Sequence, residues 1–213
     1  MTDLSTRDSK LVQYLNEAYG KEKELETALQ AHIGMTTRAP YKKRLREHLA
    51  ETKRHAREVE RRVKKLGGSP QTVPIEGLDP VAKGAGAALG IAGRATALAQ
   101  GPLHAIRGTG EQEKMLKNAK SEYADEHEEI ATYTAIETLA DALGDTDTAK
   151  LARSIRREEE RMAAFLERQI PTLTKAVVQA EIPAAQRNGG RRARAARKPA
   201  GRRGRAAAAR TPA

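Results

Sequence analysis

Four long segments of this chain repeat apolar residues at alternating steps of three and four, and each carries a glutamate in or beside the repeat near its middle. Such steps keep side chains on one face of a helix. The first segment runs Leu11, Leu15, Ala18, Glu22, Leu25, Leu29, Ile33. It predicts a helix over 5–35, opened by Ser5 and Asp8 as a capping box and closed by Gly34 and Pro40. The second, over 41–66, runs Leu45, Leu49, Thr52, Ala56, Val59, Val63, Leu66 and stops at Gly67, Gly68 and Pro70. The third runs Leu116, Ala119, Tyr123, Glu126, Ile130, Tyr133, Ile136, Ala140, with Thr109 and Gln112 as a candidate cap and Gly144 as the stop. Asp145 or Thr146 caps the fourth, whose inner face reads Leu151, Ile155, Glu158 or Glu159, Met162, Leu166, Leu173. Pro171 falls late in that segment and predicts a kink or break.

Residues 67–110 are different: rich in Gly, Ala and Pro, with little charge. A connection this long is rarely structureless within a compact domain, so it reads as a crossover with a short weak helix between Val81 and Gln100. Two helices, a long crossover, then two helices make an all-α four-helix bundle of the ferritin-like kind, with the crossover between helices 2 and 3. Composition agrees. Aromatics are only 3% of the chain against 38% hydrophobic residues, so the core must be aliphatic and Ala-rich, which suits helices better than sheets.

There is no cysteine, which excludes disulfides, thiolate metal sites and thiol catalysis and fits a reducing compartment. The net charge of +11 is placed unevenly. Of the 39 basic side chains, those at Arg187, Arg191, Arg192, Arg194, Arg197, Lys198, Arg202, Arg203, Arg205 and Arg210 crowd the end of the chain, with no acid among them. The rest is close to neutral. The expected division is therefore a bundle over 1–183 and a disordered basic tail over 184–213, too poor in apolar residues to offset the cost of ordering. No stretch approaches the roughly 20 apolar residues of a membrane helix, and MTDLSTRDSK has no apolar run. The expectation is a soluble cytoplasmic protein without membrane insertion.

The glutamates carry the chemistry. Glu22, Glu126 and one of Glu158 or Glu159 occupy positions on apolar stripes; Glu129 lies one turn from Tyr133. Glu51 lies beside the second stripe, with His48 and His55 about one turn to either side. A buried, unpaired carboxylate is costly, so it protonates, pairs or binds a cation. Carboxylates converging from four helices are how di-metal carboxylate bundles hold two hard or borderline cations. The alternative is a solvated charged face, as Lys21-Glu22-Lys23-Glu24 or Arg156 to Arg161 would form. Among the other histidines, His32 and His104 read as half-exposed polar residues, and His127 as a surface or outer residue.

The segments Leu15-Asn-Glu-Ala-Tyr-Gly-Lys-Glu22, His48-Leu-Ala-Glu51-Thr-Lys-Arg-His55, Glu126-His-Glu-Glu129-Ile-Ala-Thr-Tyr133 and Arg157-Glu158-Glu159 resemble, in that order, the YciE/YciF-type ferritin-like family of bacterial stress proteins. The resemblance covers roughly residues 8–178. The Ala/Gly-rich crossover is similar to that of the actinobacterial branch. It implies a ferritin-like fold, a link to stress conditions and a di-iron or di-manganese centre on Glu22, Glu51, His55, Glu126, Glu129, Glu158 and Glu159. Di-iron oxidase or ferroxidase-like activity stays open, and no substrate is implied. The usual Glu-x-x-His pair is missing: Arg54 follows Glu51 at the third position, and Met162 follows Glu159. The ligand set is therefore carboxylate-heavy, which suits iron or manganese.

The tail residues Arg191, Arg192, Arg194, Arg197, Lys198, Arg202, Arg203 and Arg205 are candidates for nonspecific contact with DNA or RNA phosphates. They have no aromatic neighbour for base stacking. The competing reading is a nucleoid-associated DNA-binding protein whose metal-free bundle is a scaffold. A homodimer is the default assembly.

Overall fold

The computed structural model describes residues 4–71 and 110–187. They form four long helices, α1 (Thr6–Met35), α2 (Ala39–Lys65), α3 (Glu111–Ala142) and α4 (Thr146–Glu181), and one short turn of helix, α5 (Ala184–Arg187). No strand occurs among the described residues. α1 packs on α2 and α3, α4 packs on α3 and α2, so each helix has two neighbours around one core. Contacts pair Arg7 with Leu143 and His32 with Glu122 along α1 and α3, and Arg54 with Glu158 and Arg62 with Asp145 along α2 and α4. Neighbouring helices are thus antiparallel. α2 ends beside the start of α4, whereas α3 begins beside Thr37, at the other end of the bundle. The connection from α2 to α3 therefore joins opposite ends, as in the ferritin-like four-helix bundle.

The helix ends follow their sequence signals closely. Ser5 accepts a hydrogen bond from the Asp8 amide and Asp145 from the Thr148 amide, each satisfying a donor the first turn leaves free. Pro40, expected to close the first helix, instead opens the second, where its missing N–H costs nothing. α3 starts at Glu111 on Gly110 without a side-chain cap, and Thr109 lies outside the described residues. After α2, Gly67 takes a φ of 85° and its amide bonds the Lys64 carbonyl, while the Gly68 amide bonds that of Val63. A Cβ on Gly68 would come within 2.7 Å of Val12, so glycine lets this turn lie against α1. Asn16 then holds the chain from both sides, donating to the Ser69 carbonyl and accepting from the Gln71 amide.

Two expectations need correction. Pro171 does not break α4, which runs unbroken through it to Glu181. Proline sits there on the exposed side, where water can take the carbonyl it frees. Residues 184–187, expected to be disordered, form α5. The short helix expected between Val81 and Gln100, and the tail beyond Arg187, lie outside the described residues.

The apolar core falls into two main clusters. One joins Leu25, Leu29, Tyr41, Leu45, Met115, Met162 and Leu166; the other joins Val12, Leu15, Val59, Val63, Tyr133, Ile136 and Ile155. Between them in every helix lie polar side chains: Glu22, His48 to His55, Glu122 to Glu129, and Glu159. The bundle is closed by aliphatic packing at both ends of a polar belt. No described helix is long and apolar enough to cross a membrane.

At the lower end, Arg62 reaches both carboxylate oxygens of Asp145 at 2.5 and 2.6 Å while Asp145 also accepts from Thr148. Asp145→Ala removes a helix cap and leaves a largely buried guanidinium unpaired. We expect it to cost about 2–4 kcal/mol in denaturant unfolding, and Asp145→Asn, which keeps the cap, about half of that.

Candidate metal centre

The polar belt is built by helix register. Glu22 follows Ala18 by four residues on α1, so it points inward with Ala18 and Leu25. His48 and His55 are seven residues apart on α2, two turns, and project from the same face. On α3 the buried residues are Glu122, Glu126, Glu129 and Tyr133, again at helical spacing. Tyr123 and Ile130, expected on that core stripe, are only half-buried at its flank. On α4, Glu159 is fully buried and Glu158 half-buried.

These side chains converge on two groups that share one residue. Glu22, His55 and Glu159 each offer a ligand atom within 4.8 Å of the others, and so do His48, Glu126 and Glu159. Every one of these residues is buried. His55 Nδ1 lies 2.8 Å from Glu159 Oε1 and 3.5 Å from Glu22 Oε1. His48 Nε2 lies 2.8 Å from Glu126 Oε1 and 3.7 Å from Glu159 Oε2. Glu159 is therefore the bridge, with one oxygen toward each histidine. Glu129 is buried beside them with both carboxylate oxygens lacking a hydrogen-bond partner. Glu22 Oε2, Glu126 Oε2, His55 Nδ1 and both oxygens of Glu159 lack one too. Tyr133 donates to Glu22 Oε1 at 2.5 Å.

Each histidine is held from behind by a carboxylate, and each carboxylate by an arginine. His48 Nδ1 lies 3.2 Å from Glu51, which also accepts from Arg44 at 3.0 Å. His55 Nε2 lies 2.9 Å from Glu158, which accepts from Arg54. In the neutral form of each ring, a proton on the outer nitrogen would donate to its carboxylate and leave the inner nitrogen's lone pair facing the core. Glu51 and Glu158, both expected from sequence among the metal ligands, thus sit on the far side of the imidazoles. Glu22, His55, Glu126, Glu129 and Glu159 are brought together directly.

Sequence reasoning missed the place of His48, although its seven-residue spacing from His55 was a usable signal. Tyr133, read near the site but chiefly as core packing, donates to Glu22. Thr52, midway between the histidines, is buried with its hydroxyl donating to the His48 carbonyl, so it offers the belt no free donor. His32, read as half-exposed, is buried on Glu122 at 2.8 Å, and Tyr41 donates to the other Glu122 oxygen. That second cluster is internally satisfied. His127 lies on the surface, bonded to the Tyr123 carbonyl, and His104 lies outside the described residues.

Electrostatics give the belt more acid than base. Burial pushes Glu129 well above the carboxylate range, and the charges of Glu22, Glu159 and Glu126 add to it. Burial also raises Glu22 against the opposing pull of His55, and raises Glu126 to about 8 against that of His48. Burial would raise Glu159 as well, but its contacts with the two imidazoles outweigh this and hold it low. Burial works against charge on the imidazoles, yet Glu126 and Glu51 raise His48 to about 10, and Glu159 and Glu22 raise His55 to about 11. Without a cation, two imidazoliums face four carboxylates, and the excess acids keep their protons. Two divalent cations would balance four carboxylates and two neutral imidazoles completely.

The raised values fix a sign. Between the unfolded values near 4.5 and 6.5 and the folded values of about 8 to 11, the folded metal-free chain binds more protons than the unfolded one. These groups favour folding most at low pH and lose that contribution as pH rises through about 8, 10 and 11. Thermal melts of chelator-treated protein should show a falling midpoint from pH 7 to 11, and metal-loaded protein a much flatter profile. A midpoint that climbs with pH in the chelated protein would contradict this protonation pattern.

The comparisons agree with the geometry. Among solved structures, a protein from Xanthomonas campestris pv. campestris is 25% identical with a TM-score of 0.62, covering 83% of this chain and 99% of that one. The Escherichia coli stress protein YciF is 22% identical with a TM-score of 0.56, over 81% of this chain and 99% of that one. A ferritin-like, diiron-carboxylate protein from Bacillus anthracis is 18% identical with a TM-score of 0.54, over 78% and 99%. No curated protein sequence significantly matches the chain. The model of the family described as Domain of unknown function (DUF892) matches residues 6–101 and 97–179, and the chain belongs to that family.

Proposed function

We propose that this protein holds two divalent iron or manganese ions in its bundle core. The observation that carries the reading is the cluster of buried ligand atoms without a hydrogen bond on Glu22, His55, Glu126, Glu129 and Glu159, whose charge the two imidazoles offset only in part. A group of this kind in a dry interior costs several kcal/mol for each uncompensated charge. Glu22, His55 and Glu159 would hold one ion, His48, Glu126 and Glu159 the other, with Glu129 within reach to complete the set. Oxygen and imidazole donors without thiolate suit manganese or iron. Bound metal would supply Lewis acidity, and with iron or manganese one-electron redox capacity, in a site closed off from water. The rest of the chemistry belongs to the protein. Tyr133 fixes the Glu22 carboxylate, and Glu51 and Glu158 orient the imidazoles and fix their tautomers. Similarity to the Escherichia coli stress protein YciF supports a stress-associated role, and similarity to a diiron-carboxylate protein supports the metal centre.

We further infer that the basic segment from Arg187 onward contacts nucleic-acid phosphates. Its ten cations with no acid support this.

Protein purified without chelator and loaded anaerobically should carry close to two ions per chain by mass spectrometry, and Glu22→Ala/Glu126→Ala should carry almost none. Unchanged metal content in the double variant would place the site elsewhere. Glu51→Ala and Glu158→Ala should each weaken metal binding by roughly 10- to 100-fold while leaving the stoichiometry at two. Glutamine at either position, which keeps an acceptor for the ring N–H, should restore most of that loss.

A further inference from the structure

α4 carries a line of positive charge that the metal centre does not use. Lys150, Arg157, Arg161, Arg168 and Lys175 follow one another at steps of seven, four, seven and seven residues. At 100° per residue these five fall within about 40° of arc, so they form one stripe, about 37 Å long. All five are exposed. Lys150, Arg157, Arg168 and Lys175 have no acidic partner among the described residues; Arg161 only approaches Glu158 at 3.7 Å. The acids of α4 lie off the stripe; Glu167 and Glu181 are exposed on other faces, and the remaining four are engaged elsewhere. Asp147 binds Arg62 and Lys65, Glu158 binds Arg54 and His55, Glu159 is in the core, and Glu160 binds Arg156. Around the start of the stripe, Lys150, Arg153, Ser154, Arg157 and Arg161 border an open cleft together with one acid, Glu158.

Unpaired like charges repel, and helical surfaces usually intersperse the two signs at spacings that let them pair. Elsewhere many cations are paired in this way: Lys21 with Glu128, Lys43 with Glu47, Arg153 and Arg156 with Glu137. Exposed single cations such as Arg46, Arg57, Lys114 and Lys120 do not line up into one row of comparable length. A rigid row of cations is compensated by an equally extended polyanion. We propose that the α4 stripe is a docking surface for the phosphate backbone of duplex nucleic acid. Its length is close to one turn of a DNA double helix, about 34–36 Å. The stripe has no aromatic side chain, so it offers no stacking platform for unpaired bases. An anionic membrane surface fits less well, because an interfacial helix needs a free apolar face and that of α4 is buried in the bundle. The stripe stands on its own geometry, independent of the metal centre and of the segment beyond Arg187.

The test uses the full chain. Lys150→Gln/Arg157→Gln/Arg168→Gln/Lys175→Gln neutralises the four unpaired members. Arg46→Gln/Arg57→Gln/Lys114→Gln/Lys120→Gln removes the same charge from exposed positions on α2 and α3. Binding to a mixed-sequence DNA duplex is measured against salt by fluorescence anisotropy, with anionic phosphatidylserine vesicles as a second arm. Metal content and thermal midpoint report folding. Each phosphate contact contributes about 0.9 to the slope of log affinity against log salt. The α4 variant should lower that slope by roughly 3 to 4, with metal content intact, and the α2/α3 variant should change it by less than about 1. Equal slopes in all three proteins, or equal losses in both variants, would overturn the proposal. Stripe-dependent binding to vesicles but not to the duplex would overturn it too.

Discussion

Four carboxylates share the interior of one helical bundle, and the rest of the structure is arranged around that burden. Glu22, Glu126, Glu129 and Glu159 come from three helices, and the fourth, α2, brings no carboxylate to the centre but two imidazoles. The aliphatic clusters above and below contribute the hydrophobic stabilisation that a polar layer cannot. The belt would be unstable as four bare charges. It can persist only protonated, paired with imidazolium or neutralised by cations.

The histidines have a distinctive arrangement. Both come from α2, one on each side of Glu159, rather than one from each of two helices. This puts the whole nitrogen contribution on a single rigid element, where two turns of helix set the spacing. It also puts both outer nitrogens toward the α2 surface and its seam with α4, where Glu51 and Glu158 meet Arg44 and Arg54. The arginines neutralise the outer carboxylates, so orienting the imidazoles adds no net negative charge to the centre. The α4 stripe begins just outside this seam, which makes α4 a helix with one face for the core and another for a polyanion.

Much of this was readable from residue spacing. The steps of three and four placed all four long helices, the Ser5 and Asp145 caps and the long connection between α2 and α3. The intrusion of Glu22, Glu126 and Glu159 into apolar stripes marked the belt. What spacing could not decide was rotation within the stripe. On α3, Tyr123 and Ile130 looked like better core residues than Glu122 and Glu129, and the reverse holds: His32 and Tyr41 supply partners for Glu122, and Glu129 turns into the carboxylate cluster. The same ambiguity placed Glu51 and Glu158 among the ligands: Glu51 stands one turn from His48 and Glu158 next to Glu159 on the fourth stripe, and only the packed helices show on which side of each ring they lie. Of the kink or break expected at Pro171, the break is absent, since an exposed helix position lets water take the carbonyl that proline leaves free.

The most direct test of the central claim is anomalous diffraction from crystals of protein loaded with manganese, recorded at the manganese edge. The account predicts two peaks inside the bundle, flanking Glu159, one beside Glu22 and His55 and the other beside His48 and Glu126. Peaks confined to surface carboxylates, with His48 and His55 still paired to their glutamates in the core, would contradict it.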